Sequence, residues 1–368
     1  MKVKYLDLPG QFNDEGLWEL LKKQFQTCQF IMGPELEAFE SHFSRLCGTV
    51  FALGVSSGTD AIFLALKALG IGLGDEVITI PNSFIATAGA IVASGSKPVF
   101  VDVGPDYNID VDLIRQAITP RTKAIMPVHL TGNPADMPRI MGIARENHCY
   151  VIEDAAQAVT ALIEGQTVGS FGNIGCFSLH PLKNLNVCGD GGVLTTNSEA
   201  VYKKLDLLRN HGLKNRDEIE IFGYNSRMDT IKAAVANYFI EHLETVTKKR
   251  QRNALIYDKG LKEAEEFVII PPRRKGVKQV FHTYVVQVEK RDELVAFLYE
   301  RGVETRIHYP IPIHLQKPCK KFGYHKGDFP VCEMQSGKIL SLPIHQYLSE
   351  QQINYVIDMI MKFYKIKS

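Results

Sequence analysis

Between residues 49 and 200, short apolar runs alternate with amphipathic stretches of helical period. Val77–Ile80, Pro98–Asp102, Ala124–Val128 and Tyr150–Glu153 read as buried strands, with helices over Phe84–Ala93, Asp110–Ile118 and Met137–Asn147 between them. Alternation at this spacing predicts right-handed crossovers and a largely parallel sheet covered on both faces. After about residue 195 the texture changes. Ser198–Arg209 and Met228–Arg252 predict long helices, the second dense in Ala, Leu, Glu and Lys. A second strand–helix set follows, with a strand over Phe281–Val288, a helix over Asp292–Arg301 and a strand over Gly302–Ile307. Residues 1–245 are therefore expected to form a large α/β domain and residues 246–368 a smaller α+β domain, hinged by the long helix.

Length and charge narrow the class. At 368 residues the chain suits two domains, given roughly 100–200 residues per domain. Forty-two basic residues balance 41 acidic ones, which argues against a nucleic-acid binder working by bulk charge and leaves room for a local phosphate site. The basic run Lys248–Arg252 reads as the solvated end of a helix. The seven cysteines, at 28, 47, 149, 176, 188, 319 and 332, include no C-x-x-C pair, so neither a metal site nor a disulfide framework is indicated. Free, mostly buried thiols are the expectation. The first residues have no apolar signal core, and no segment reaches the roughly 18 apolar residues of a membrane span, so a cytoplasmic protein away from the membrane is expected.

Three segments carry candidate chemistry. Gly54-Val-Ser-Ser-Gly-Thr-Asp-Ala61 joins a predicted strand to a helix over Ala61–Leu69; its small residues leave amides open at a helix N-terminus, which suits phosphate, although Ser57, Thr59 or Asp60 serves equally as an ordinary cap. Gly70-Ile-Gly-Leu-Gly74 ends that helix and reads as a turn. Tyr150-Val-Ile-Glu-Asp154 delivers two carboxylates at the carboxyl end of a strand, where open parallel sheets place ligands; capping of the next turn is the plainer alternative. The third segment, Gly175 to Gly192, isolates Lys183 among Pro, Leu and Asn before the glycines 189, 191 and 192. A lysine held partly out of water loses its proton more easily and can form a Schiff base, whereas in water it is an ordinary loop residue. His180 reads as a packed or capping imidazole, with acid–base work as the alternative. An anion cradle, an acid at a strand end and a lone lysine together suit pyridoxal 5'-phosphate, which needs all three.

These residues sit in a chain that resembles the DegT/DnrJ/EryC1/StrS family of sugar aminotransferases. The resemblance runs through Phe30-Ile-Met-Gly-Pro-Glu-Leu-Glu37, Ser57-Gly-Thr-Asp-Ala61, Gly74-Asp-Glu-Val77, Glu153-Asp-Ala-Ala-Gln157, Phe177-Ser-Leu-His-Pro-Leu-Lys-Asn184, Gly189-Asp-Gly-Gly192, Gly223-Tyr-Asn-Ser-Arg-Met228 and His308-Tyr-Pro-Ile-Pro-Ile-His314. It implies the α/β fold type I of pyridoxal-phosphate-dependent transferases, with a mixed, mostly parallel sheet and a smaller C-terminal α+β domain. It also implies that Lys183 attaches the cofactor and shuttles the proton, and that Asp154 partners the pyridine nitrogen. Gln157 then lies near the ring hydroxyl, and Gly58, Thr59 and Ser178 at the phosphate. Phe84 covers the ring, and Asn225 reaches the phosphate of a neighbouring subunit in a homodimer. Members with histidine in place of the lysine act as sugar dehydratases, and Lys183 counts against that chemistry here. Arg227, Arg306 and His308 are candidate contacts for an anionic substrate group, with a surface ion pair or a packed imidazole as alternatives. The implied activity is transamination of a nucleotide-linked keto sugar with L-glutamate as donor. A free or phosphorylated keto sugar, a keto cyclitol, and a non-catalytic regulator keeping the fold are the alternatives.

Overall fold

The computed structural model describes residues 1–366. Its centre is a seven-stranded sheet in the order Phe51–Val55, Gly192–Thr196, Ile174–Ser178, Tyr150–Asp154, Thr122–Ile125, Glu76–Thr79 and Lys97–Phe100. Gly192–Thr196 runs antiparallel to both its neighbours, and the other four neighbouring pairs are parallel. The sheet is thus mixed and mostly parallel. Adjacent residues in the inner strands feed opposite faces, as the two-residue period of a strand requires. Ile78, Ile125 and Val151 join Ile114 and Ile140 in one core, whereas Val77, Ala124 and Ile152 join Leu64, Ile91 and Leu205 in another. Helices cover both faces, which is why these strands are apolar throughout rather than alternating.

From Leu243 onward the chain builds a second layer. A three-stranded antiparallel sheet orders Val268–Ile269, Tyr284–Val288 and Ile339–Leu342. Val286, Leu340 and Leu342 pack with Leu294, Val356 and Ile357 of the helices Arg291–Glu300 and Glu350–Phe363. Val285 and Ile339 point the other way, into the core of the large sheet. Among the described residues no helix is long and apolar enough to cross a membrane. All seven cysteines are free, and Cys47, Cys176, Cys319 and Cys332 are buried.

Two expected elements differ. The helix expected over Met228–Arg252 is two helices, Thr230–Ile240 and Leu243–Gly260, with a break at Glu241 and His242. Ala233, Val235, Ala236 and Leu243 belong to the core beside the large sheet, whereas Ala254 and Tyr257 belong to that of the small sheet. The axis turns to serve both, while the apolar period continues unbroken through the turn. Gly302–Ile307 forms no strand ladder. It makes single bridges to two different partners, Val303 to Val3 and Arg306 to Ser341.

Candidate active site

Six of the seven large-sheet strands run in one direction, so Val55, Asp154 and Ser178 end at one edge, where the reversed strand begins with Gly192. Two glycines let the loops at that edge close. A Cβ on Gly58 would lie 2.7 Å from Ser178 Cβ, and one on Gly192 would lie 2.2 Å from the Ser57 carbonyl oxygen. Ser57 caps the helix Gly58–Ala68, its hydroxyl accepting from the Asp60 N–H at 3.1 Å. The capping reading therefore holds for Ser57, while the N–H groups of Gly58 and Thr59 are left without an internal acceptor among the described residues. Asp60 in turn accepts from the hydroxyls of Ser56 and, at 2.7 Å, Ser226, which ties the 225–227 loop to the cradle.

The two carboxylates at the end of Tyr150–Asp154 have separate roles. Glu153 is fully buried and accepts from the main-chain N–H groups of Gly169, Phe171 and Gly172 at 2.7–2.8 Å. It also accepts from His129 Nε2 at 3.0 Å, since His129 Nδ1 takes the N–H of Ala135. Four donors satisfy it as a structural clamp. Asp154 is equally buried but has two donors among the described residues, both neutral: the Thr87 hydroxyl at 2.7 Å and the Ala156 N–H at 3.2 Å. Burial pushes its pKa up, against the opposing pull of those two hydrogen bonds and of Lys183 and His129. An acid so placed, with no basic side chain bonded to it, matches a ligand that brings its own positive charge.

Lys183 sits in the loop after Ile174–Ser178, half-buried. Burial lowers its pKa from 10.5 to about 8, and the nearby Asp154 only partly offsets this. The loop is held from within and from outside. Asn186 donates to the carbonyls of Pro181 at 2.6 Å and Lys183 at 3.1 Å while accepting from Gln11, and Asn184 donates to the Val280 carbonyl at 2.9 Å. His180 Nδ1 accepts the Leu182 N–H at 3.2 Å, a capping role. Gln157 Oε1 accepts the Thr131 N–H at 2.7 Å.

Phe84 is 54% exposed, and its ring lies 5.8 Å from that of Tyr309. Burial, helped by Asp154, pushes the Tyr309 phenol up to about 12. Next to it, His308 Nδ1 lies 2.9 Å from the Ser341 hydroxyl. Burial, Lys183 and Arg306 hold that imidazole down at about 4, so it is neutral. Arg306 is exposed, and among the described residues its guanidinium donates only to the carbonyl of its neighbour Thr305. Arg227 donates to Asn210 Oδ1 at 3.2 Å and is bridged to Val55. Asn225, next to Ser226, stands exposed, and its side chain makes no hydrogen bond among the described residues. Sequence reasoning missed Thr87, although it lies three residues after Phe84 on the first turn of its helix, a position that aims a side chain back at the sheet edge. It also gave no role to Tyr309.

The DegT/DnrJ/EryC1/StrS aminotransferase family matches this sequence over residues 13–361. The chain belongs to that family. A pleiotropic regulatory protein of Geobacillus stearothermophilus is 40% identical, the match covering 99% of each chain. UDP-N-acetyl-3-dehydro-alpha-D-glucosamine 3-aminotransferase of Acidithiobacillus ferrooxidans is 42% identical, over 92% of this chain and 91% of that one. Among solved structures, DesV of S. venezuelae in complex with a ketimine intermediate superposes with a TM-score of 0.97 at 36% identity, covering 100% of both chains. This aminotransferase therefore has the fold of its solved relative from end to end.

Proposed function

We propose that this protein transfers an amino group from L-glutamate to the keto group of a nucleotide-linked sugar, using pyridoxal 5'-phosphate. The observation that carries the reading is the pair of Asp154, buried with no basic side chain bonded to it, and Lys183, an amine of lowered pKa beside an open amide cradle. The donor set fits the cofactor: the N–H groups of Gly58 and Thr59 and the Ser178 hydroxyl would hold its phosphate, Asp154 its protonated ring nitrogen, Gln157 its ring hydroxyl, and Phe84 its face. When bound, the cofactor supplies an electron sink for the pair left behind as a carbon–hydrogen bond breaks. Lys183 Nζ moves the proton. An amine with pKa about 8 is close enough to neutrality to act as a base in one direction and an acid in the other. His308, neutral at working pH, adds hydrogen bonding rather than charge.

The nucleotide-sugar substrate is supported by the name of the 42%-identical relative. The regulatory name of the 40%-identical relative favours a second reading, a non-catalytic protein on the same fold. Visible spectra separate the two. Protein loaded with pyridoxal phosphate absorbs in the visible, and L-glutamate should bleach that band, with a keto sugar restoring it. A band that forms and never responds to any amino acid favours the regulator, and failure to form a band removes Lys183 from its role.

A further inference from the structure

Glu153 lies immediately before Asp154 and, together with His129, is wholly buried. Each of its oxygens takes two donors: Oε1 the N–H groups of Phe171 and Gly172, Oε2 those of Gly169 and of the His129 ring. A buried carboxylate paired this fully fixes every segment that supplies a donor. The imidazole extends that hold. Its Nδ1 accepts the Ala135 N–H at 3.0 Å, so the ring closes the segment 129–135 upon itself and keeps its Nε2–H for Glu153. The His129 main-chain N–H donates to the Asp154 carbonyl at 3.0 Å.

Within the closed segment the backbone turns left-handed twice, at Thr131 (φ 62°) and Gly132 (φ 83°). A β-branched residue resists that conformation, so its surroundings must impose it. The turn aims the Thr131 N–H at Gln157 Oε1, 2.7 Å away. Only the carbonyl end of an amide can accept an N–H, so this contact fixes which way the Gln157 side chain is flipped and turns its NH2 end into the site. Tyr309 registers that end: burial and Asp154 push its phenol up, and a hydrogen bond from Gln157 opposes them. We propose that Glu153 and His129 are positioning residues, which act through the turn at Thr131 to hold the Gln157 amide with its N–H groups toward the ring hydroxyl of the cofactor. The inference rests on the cofactor site proposed above. A donor held at that oxygen draws electron density from it, so a proton shared between the oxygen and the Lys183 nitrogen is bound less tightly. The visible band of cofactor-loaded protein then changes at a lower pH than it would without the clamp.

The variants are Glu153→Gln and the milder His129→Asn, in which an amide carbonyl can still accept the Ala135 N–H while the link to Glu153 is cut. In both, the pH midpoint of the visible band should rise by about one unit, the worth of one hydrogen bond to a charged group. Gln157→Leu should raise it as far, and His129→Asn/Gln157→Leu no further, because the clamp acts through the amide. In His129→Asn/Thr131→Gly the midpoint should move back toward wild type, since glycine adopts the left-handed turn unaided. An unmoved midpoint in both clamp variants overturns the proposal, as does a His129→Asn shift that adds in full to that of Gln157→Leu. Hydrogen exchange in the full-length chain without cofactor separates the clamp from the amino-transfer reading. There the Thr131 N–H should exchange about tenfold faster in both clamp variants than in wild type. Unchanged exchange overturns the clamp whatever the band does. If exchange and midpoint both shift while no amino acid bleaches the band, the clamp stands and the amino-transfer reading fails.

Discussion

Lys183 and Asp154 would attract each other in water as ions, yet at the sheet edge burial drives both toward neutrality. The lysine falls from 10.5 to about 8, and the acid rises. Between about pH 8 and 10.5 the unfolded chain holds a proton on this lysine that the folded chain does not, so stability rises with pH across that window; below it the burial penalty is present in full. In cofactor-free protein, denaturant titrations should show the Lys183→Met variant ahead of wild type near pH 7, with the gap closing by pH 10.5; a constant gap would contradict the shifted amine. Thr87 gives a second expectation at this scale. Its hydroxyl is one of two donors to Asp154. Losing a hydrogen bond to a charged group is worth about 1.5–3 kcal/mol. Thr87→Val should lower kcat about tenfold to a hundredfold and move the acid limb of its pH profile upward, because a carboxyl with less support ionises later. Thr87→Ser should restore both, which a purely structural role for the methyl group would not allow.

At the scale of elements, the cradle depends on how closely the first turn of Gly58–Ala68 approaches the end of Ile174–Ser178. A methyl group on Gly58 meets Ser178 Cβ at 2.7 Å, so Gly58→Ala must push the helix start off the strand. Overpacking of this kind costs about 1–3 kcal/mol. Denaturant titrations should show Gly58→Ala destabilised by this overpacking and partly recovered in the double variant Gly58→Ala/Ser178→Gly; absence of recovery would mean the loss arises elsewhere. This contact also marks the boundary of what the sequence carries. The strand that delivers Asp154, the apolar segment before Lys183 and the glycines 189, 191 and 192 after it are legible because strand period, glycine and an isolated lysine are local signals. The turn at Glu241–His242 is not, since an apolar period describes one helix face and says nothing of where the axis points. The lining of one cavity of about 380 Å3 is illegible for a related reason: Tyr5, Arg250, Thr283 and Arg306 lie far apart in the chain, and no spacing records their meeting.

For the whole molecule, the loop that carries Asn225 poses a question the single chain leaves open. Ser226 pins the loop to the cradle through Asp60, but Asn225 faces outward, and Phe222 nearby is 98% exposed with Ile219 at 65%. Two apolar side chains presented this fully beside Asn225 support the proposal that another chain covers this face. In a two-fold dimer any residue that crosses to the partner's site is matched by one crossing back. The reading that Asn225 completes the neighbour's phosphate site then has a consequence for mixtures. Lys183→Ala alone and Asn225→Ala alone should each be nearly inactive. When the two are unfolded together and refolded, each mixed dimer holds one site with both defects and one with neither. Half the dimers are mixed and each has one whole site, so activity should return to roughly a quarter of wild type. If Asn225 served its own subunit, every site in the mixture would carry one defect, and the refolded protein would remain as inactive as its parents.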